Sequence, residues 1–295
     1  MPGEGPSWDL VADVQLLLQF HFMQNALVVG TLVAILGGAV GYFVVLRGQS
    51  FAAHMLSQVG FPGAAAATLL HASPVAGLIV FCVGSALGIG LLGRELDTGR
   101  RFEAATVGTI LAFSLGLGLL FFHLFAGSAQ GIYTFLFGAI LGISDGDVLI
   151  TLVTTVLSLA VLTVLGRPLI FASIDPDVAE ARGVPLRAIS MAFLVLVALA
   201  VAVTVQIVGT LLIFALLVAP GAAAQQLTAR PGLGLLLTVA LSLLVTWAGL
   251  SVAYFTVYPA GFLITSFAFG TYVAIRLLKG AVGLQERVAQ PRVPS

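Results

Sequence analysis

The chain alternates long apolar runs with short polar punctuation. Ala26 to Leu46, Val75 to Leu92, Thr106 to Phe125, Val148 to Leu165, Ala188 to Gln206, Val208 to Leu227, Leu233 to Phe255 and Gly261 to Leu278 are each nearly free of charge. Each is about as long as a helix needs to cross a hydrocarbon layer roughly 30 Å thick. A shorter alanine-rich segment, from Pro62 to Leu70, follows the first run and is marginal in length. Its Gly63-Ala64-Ala65-Ala66-Ala67 stretch offers small residues for close helix approach. Ile132 to Ile143 lies between glycine-rich breaks and is too short to span, so it reads as a re-entrant or interfacial helix. Trp8 to Gln24 mixes Asp9, Asp13 and Gln15 with Leu and Phe, the pattern of a helix lying on the membrane surface, with His21 an interfacial histidine. The pattern therefore predicts an all-α polytopic membrane protein of eight or nine transmembrane helices. Residues 1–25 form a tail and interfacial helix, 26–279 a single membrane domain, and 280–295 a polar cytoplasmic tail.

Composition agrees: 60% of residues are hydrophobic, 8% are charged and the mean hydropathy is +1.15. Those values exclude a soluble globular domain. A formal net charge of zero argues against nucleic acid as a partner. Cys82 is the only cysteine, so neither an intrachain disulfide nor a thiolate cluster can form, and it reads as a small core residue. No phosphate-binding loop occurs, so nucleotide hydrolysis, if it drives this protein, belongs to another subunit.

The charges that remain are placed unevenly. The loop RELDTGRRFE carries Arg94, Arg100 and Arg101, and the stretch from Arg167 to Arg187 carries three arginines, which puts both on the cytoplasmic side. Arginine placement favours an outside N-terminus and an inside C-terminus, hence nine crossings. Within the second stretch, Asp175 can cap a helix whose first position is Pro176, and Gly183 and Pro185 can stop it. A short capped helix between spans, near residues 171–187, reads as a docking element for a soluble partner. Asp145 and Asp147 precede a span and read as cap and dipole compensation. Pro220-Gly221 falls inside an apolar run, where a proline frees a backbone carbonyl. A kink near a permeation path is one account, and packing strain is another.

The strongest chemical candidate is the stretch RGQSFAAHMLSQVGFPG, from Arg47 to Gly63. His54 and Gln58 are four residues apart and so share a helix face, with Ser57 beside them. Intramembrane polarity is costly unless it faces protein or a water-filled path, so this stripe is a candidate conduit lining. An interhelical hydrogen-bond pair is the competing account. His71 and His123 fall near segment ends, where a histidine is easily solvated.

Four stretches in order resemble the integral-membrane permeases of ABC importers for zinc and manganese. These are Phe22-Met23-Gln24-Asn25-Ala26-Leu27 leading to Val45-Leu46-Arg47; Ser50-Phe51, Leu56-Ser57 and Pro62-Gly63; Ile174 through Pro185; and Val208 through Leu212 with Ala219 through Ala224 and Pro259-Ala260-Gly261. The resemblance implies the compact all-helical fold of type II importers in a homodimeric permease of the plasma membrane, the inner one in a double-membraned host. It implies docking of ABC ATPase subunits near Asp175, Asp177, Glu180, Arg182 and Gly183, and an extracytoplasmic metal-binding protein that delivers the ion. The subunit would not itself be an enzyme, and it would hold no tight cofactor.

The family commonly places Asp, then His four residues later, where this chain has His54 and Gln58. A neutral imidazole and amide in that place lean the cargo toward zinc, with manganese the alternative, because manganese prefers carboxylate and carbonyl oxygen. Two rivals are weaker. An integral-membrane enzyme would need acid, base or metal ligands inside the bilayer, and the spans hold no Asp or Glu deeper than Glu103 at an edge. A stand-alone channel or secondary transporter would leave the capped helix unexplained.

Overall fold

The computed structural model describes residues 19–92, 104–125, 143–209 and 213–289. Among them are ten helices: α1 (His21–Leu46), α2 (Ser50–Leu69), α3 (Pro74–Leu92), α4 (Ala104–Phe125), α5 (Asp145–Ile174), α6 (Pro176–Ala181), α7 (Leu186–Val208), α8 (Ile213–Leu227), α9 (Pro231–Phe255) and α10 (Ala260–Ala289). Six of them, α1, α3, α5, α7, α9 and α10, contain a stretch long and apolar enough to cross a membrane. Shorter apolar helices come from α4 and α8. The all-α polytopic expectation therefore holds. The arginine-rich loop at 93–103, most of the Ile132 to Ile143 segment, residues 1–18 and the last residues of the tail lie outside the described residues.

Element boundaries differ from the apolar runs in instructive ways. The first span begins at His21, because the polar residues that read as interfacial continue one helix into the apolar run. The span expected from Val148 to Leu165 extends from Asp145 to Ile174, straight through Arg167 and Pro168. Its start is set by a capping box: Ser144 Oγ accepts the Asp147 N–H at 3.2 Å, and an Asp147 carboxylate oxygen accepts the Ser144 N–H at 3.1 Å. The expected capping reading is what the structure shows. Its end is set by Pro176, which disfavours helical backbone at Asp175. Leu169 and Ala172 keep the last turns buried, so the helix continues past the polar residues that suggested a break.

The helix α1 is the hub of the bundle, packed against α9, α8, α5 and α7. Its inner turns are built for close approach. A Cβ at Gly38 would lie 2.9 Å from Ser242 Oγ and 3.0 Å from Val239 Cα, and one at Gly41 would collide with the Leu217 carbonyl. Gly221 on α8 reciprocates: a Cβ there would lie 3.0 Å from the Gly41 carbonyl oxygen. Helices α2 and α3 meet in the same manner, Gly63 against Gly77, as the small-residue run predicted.

Polar contacts fix how the helices are directed. Asn25 at the start of α1 donates to Asp145 Oδ1 (2.8 Å) and to the Ile143 carbonyl (3.3 Å) before the start of α5. Arg47 at the end of α1 donates to Ser173 near the end of α5. The two helices therefore run parallel. Arg47 also reaches Ser190 near the start of α7, which makes α7 antiparallel to α1. Near the end of α8, Gln225 donates to the Tyr42 carbonyl at 3.1 Å, and Trp247 late in α9 donates to Thr31 at 3.0 Å. So α8 runs with α1 and α9 against it.

Replacing Gly63 by Val should force α2 and α3 apart and destabilise the protein by about 1–3 kcal/mol. Thermal unfolding in detergent checks this, and an unchanged midpoint would show that the crossing is not tightly packed.

Candidate functional site

Helix α2 begins after a tight turn at the end of α1. Gly48 sits there at φ 65, its N–H bonded to the Val45 carbonyl and the Gln49 N–H to that of Val44. This pair of hydrogen bonds around a left-handed residue is the Schellman helix stop. The helix then buries Ala52, Ala53, Met55, Leu56, Val59 and Gly60 against its neighbours. What it leaves less buried is a stripe at helical spacing, Phe51, His54, Gln58, Phe61, Ala65 and Thr68. His54 and Gln58 thus share one half-buried face, as their spacing predicts.

Ser57 does not join that face. It is fully buried, and its hydroxyl donates to the His54 carbonyl at 2.6 Å, so the expected three-residue polar stripe reduces to two residues. Among the described residues no group of three or more His, Cys, Asp or Glu side chains could hold a metal ion. What the arrangement offers is one imidazole and one amide per chain on a half-buried face of α2, with His54 Nδ1 itself buried.

The other histidines divide. His123 is exposed at the last turn of α4. His21 lies 3.7 Å from Asp145 at the exposed start of α1. His71 is exposed and stands at φ 52 after α2, where its N–H bonds the Thr68 carbonyl and the Ala72 N–H bonds that of Ala67. A histidine here fills the left-handed place that glycine usually takes in a Schellman stop.

The second candidate is α6. Asp175 Oδ1 accepts the Val178 N–H at 3.1 Å and Pro176 takes the first helical position, as the sequence predicts. At the other end Gly183 stands at φ 80, with its N–H on the Glu180 carbonyl and the Val184 N–H on that of Ala179. Only Ala179 is buried, in a small apolar cluster with Ala172 and Leu186 that Phe171 and Val184 cover. The Arg182 guanidinium lies over the Phe171 ring, 5.9 Å from its centre. Asp175, Asp177, Glu180, Arg182 and Gly183 are all exposed, so the bundle presents this helix outward.

Pro220 and Gly221 are both buried within an unbroken α8, at its crossing with α1. Sequence reasoning missed Asn25 and Arg47. A lone arginine directly after an apolar run and before a glycine was the available signal for the second, but its partners stand far along the chain.

The sequence profile of the ABC 3 transport family matches residues 19–279. The manganese import system permease protein ScaB of Streptococcus parasanguinis is 33% identical over 243 residues, which are 81% of this chain and 84% of that protein. The manganese transport system membrane protein MntC of Halalkalibacterium halodurans is 30% identical over 241 residues, 82% of this chain and 80% of that protein. Among solved structures, PsaBC from Streptococcus pneumoniae in complex with Fab aligns with a TM-score of 0.79 at 28% identity, covering 90% of this chain and 95% of that chain. A chain described as an inward-facing metal-chelate type ABC transporter aligns at 0.63 with 17% identity, a likeness of fold alone. ScaB and MntC are named for manganese, against the zinc that ligand softness favours.

Two local tests follow. Substituting His71 by Gly should relieve the left-handed backbone and raise stability by about 1 kcal/mol, read as a higher unfolding midpoint; a lower midpoint would mean the side chain does more than fill the turn. Removing the cap with Asp175→Ala should cost α6 about 1 kcal/mol. Hydrogen exchange should then quicken in residues 176–181 while the global unfolding midpoint holds, and unchanged exchange would discount the cap.

Proposed function

The chain belongs to the ABC 3 transport family, and from that premise we propose that it is the membrane permease of an ATP-driven importer whose cargo is manganese. The observation that carries this reading is the family match, which spans every described helix from α1 into α10, together with relatives named for manganese. The subunit is a multi-pass membrane protein and performs no bond chemistry itself; hydrolysis falls to an ABC ATPase, and capture of the ion to an extracytoplasmic binding protein.

Helix directions support nine crossings. Because α1 and α5 run parallel, the four helices α1 to α4 return the chain to the outer side, from which α5 starts. Then α5, α7, α8, α9 and α10 cross in turn and leave the C-terminus inside. In this reading Arg47, α6 and the start of α7 lie on the cytoplasmic side. The exposed residues Asp175, Asp177, Glu180, Arg182 and Gly183 form the ATPase-docking surface in this reading.

His54 and Gln58 are the proposed contacts of the passing ion, doubled by a second copy of the chain across a dimer axis. The softness argument for zinc concerns retention, whereas a conduit must also release. Manganese lies lowest in the affinity order for a nitrogen and oxygen site, so a neutral imidazole and amide would hold it briefly. The imidazole itself supports zinc as the second reading, carried by the same architecture. The Pro220-Gly221 step forms a close helix crossing with α1, and we assign it a bend that accompanies alternating access.

The test is uptake of radioactive manganese and zinc by proteoliposomes holding the assembled importer, its binding protein and ATP. Native vesicles should accumulate manganese only with ATP. His54→Ala and Gln58→Ala should each lower the rate about tenfold, the worth of one lost contact to a charge. Uptake without ATP would replace the importer by a channel, and preference for zinc would move the cargo to the second reading. Full activity in both variants would remove the pair from the conduit.

A further inference from the structure

Arg47 is the C-cap of α1 and stands at the corner from which α2 departs. Its Nη2 donates to Ser190 Oγ at 2.8 Å and its Nη1 to Ser173 Oγ at 3.4 Å, while the guanidinium lies 5.6 Å from the centre of the Phe193 ring. Its Nε is buried without a hydrogen-bond partner. Burial lowers its pKa from the ordinary value through desolvation, yet an arginine stays charged in proteins. The surroundings thus give a cation two hydroxyls and a ring face, and leave the buried Nε unanswered. Such a site is costly to build for stability alone, since an apolar residue would fill it without the desolvation penalty.

The partners tell what the arginine connects. Ser173 lies two residues before Asp175, the cap of α6, and Ser190 lies in the first turns of α7, just after α6 ends. The Ser173 hydroxyl donates to the Leu169 carbonyl, which leaves its lone pairs to the guanidinium. Ser190 and Phe193 are buried, and Phe193 meets Phe43 edge-on at 6.3 Å, one turn before Arg47. Through Phe171, Ala172, Ala179, Val184 and Leu186, α6 rides on the end of α5 and the start of α7. Arg47 grips both of those ends at once. On its other side it is three residues from Ser50, where α2 begins, and His54 follows one turn later.

We infer that Arg47 is the positioning residue through which displacement of α6 by the docked ATPase reaches α2 and the face carrying His54 and Gln58. The inference deepens the proposed function and rests on it. A guanidinium suits the role because its planar fork holds two acceptors in fixed directions, so a shift of either helix end turns the corner at Gly48. An ammonium would give a single point contact.

The experiment measures manganese accumulated and ATP hydrolysed by the same reconstituted full importer, for the native chain, Arg47→Met, Arg47→Lys and the double variant Ser173→Ala/Ser190→Ala. Loss of a charged hydrogen-bond pair should lower ions moved per ATP about tenfold in Arg47→Met, while hydrolysis stays within about twofold of native. Arg47→Lys should recover only part of that ratio. The double serine variant should lower it too, and adding Arg47→Met to it should lower it no further, because both changes break one link. A merely structural arginine would leave the ratio intact, whether both rates persist or both fall together, and that result overturns the inference. Should Arg47→Met fail to assemble, the double serine variant decides the question by the same ratio. A native assembly that moves no metal overturns the functional reading, and this inference falls with it.

Discussion

Everything in this bundle depends on how near its helices can come to one another. Lipid tails are as apolar as leucine, so burying a leucine against a neighbouring helix gains little over leaving it in the bilayer. What remains is van der Waals contact at short range, and short range requires small residues. The hub helix α1 supplies Gly38 toward α9 and Gly41 toward α8, and α8 answers with Gly221. The same device joins α2 to α3 at Gly63 and Gly77. Remove those glycines and the side chains around them have no alternative partner to hold the helices in place.

Close packing fixes distance but sets direction and register only loosely. Register comes from the polar side chains at the helix ends: Asn25 on the start of α5, Arg47 on the end of α5 and the start of α7, Gln225 on the Tyr42 carbonyl. Between these contacts the middle of the bundle buries apolar side chains and uncharged hydroxyls such as Ser158, Thr204, Ser242 and Thr246, and His54 and Gln58 lie on a face of α2 that carries no charged side chain. An ion passing such a face would meet few strong ligands. On the proposed reading that is what passage needs.

The sequence made the local features legible. Apolar runs announced the helices, and Asp175, Pro176 and Gly183 announced α6 with both ends, because capping chemistry acts within a few residues. Long-range features were not legible. Arg47 finds its partners 126 and 143 residues away, and Asn25 finds Asp145 120 residues away, so neither could be read from its neighbours. Arg167 and Pro168 looked like the edge of a loop, yet buried Leu169 and Ala172 carry α5 past them. Ser57 was grouped with His54 by proximity along the chain, but a serine in a helix can satisfy its hydroxyl on its own backbone, and this one does. The expected zinc parts from the manganese for which ScaB and MntC are named for a different reason: ligand softness ranks how tightly ions are held, whereas a transport path depends also on how readily they leave.

The single cysteine carries a practical consequence. Cys82 is completely buried in α3, with its thiol directed at the Leu56 carbonyl at 3.4 Å, where no aqueous reagent can reach it. The natural chain is therefore already silent toward thiol-directed labels. A cysteine introduced at an exposed position outside the proposed docking set, such as Ala181, would be the only reactive one in each copy. Spin labels or fluorophores placed there could follow α6 through a transport cycle, without first stripping the protein of its own thiols.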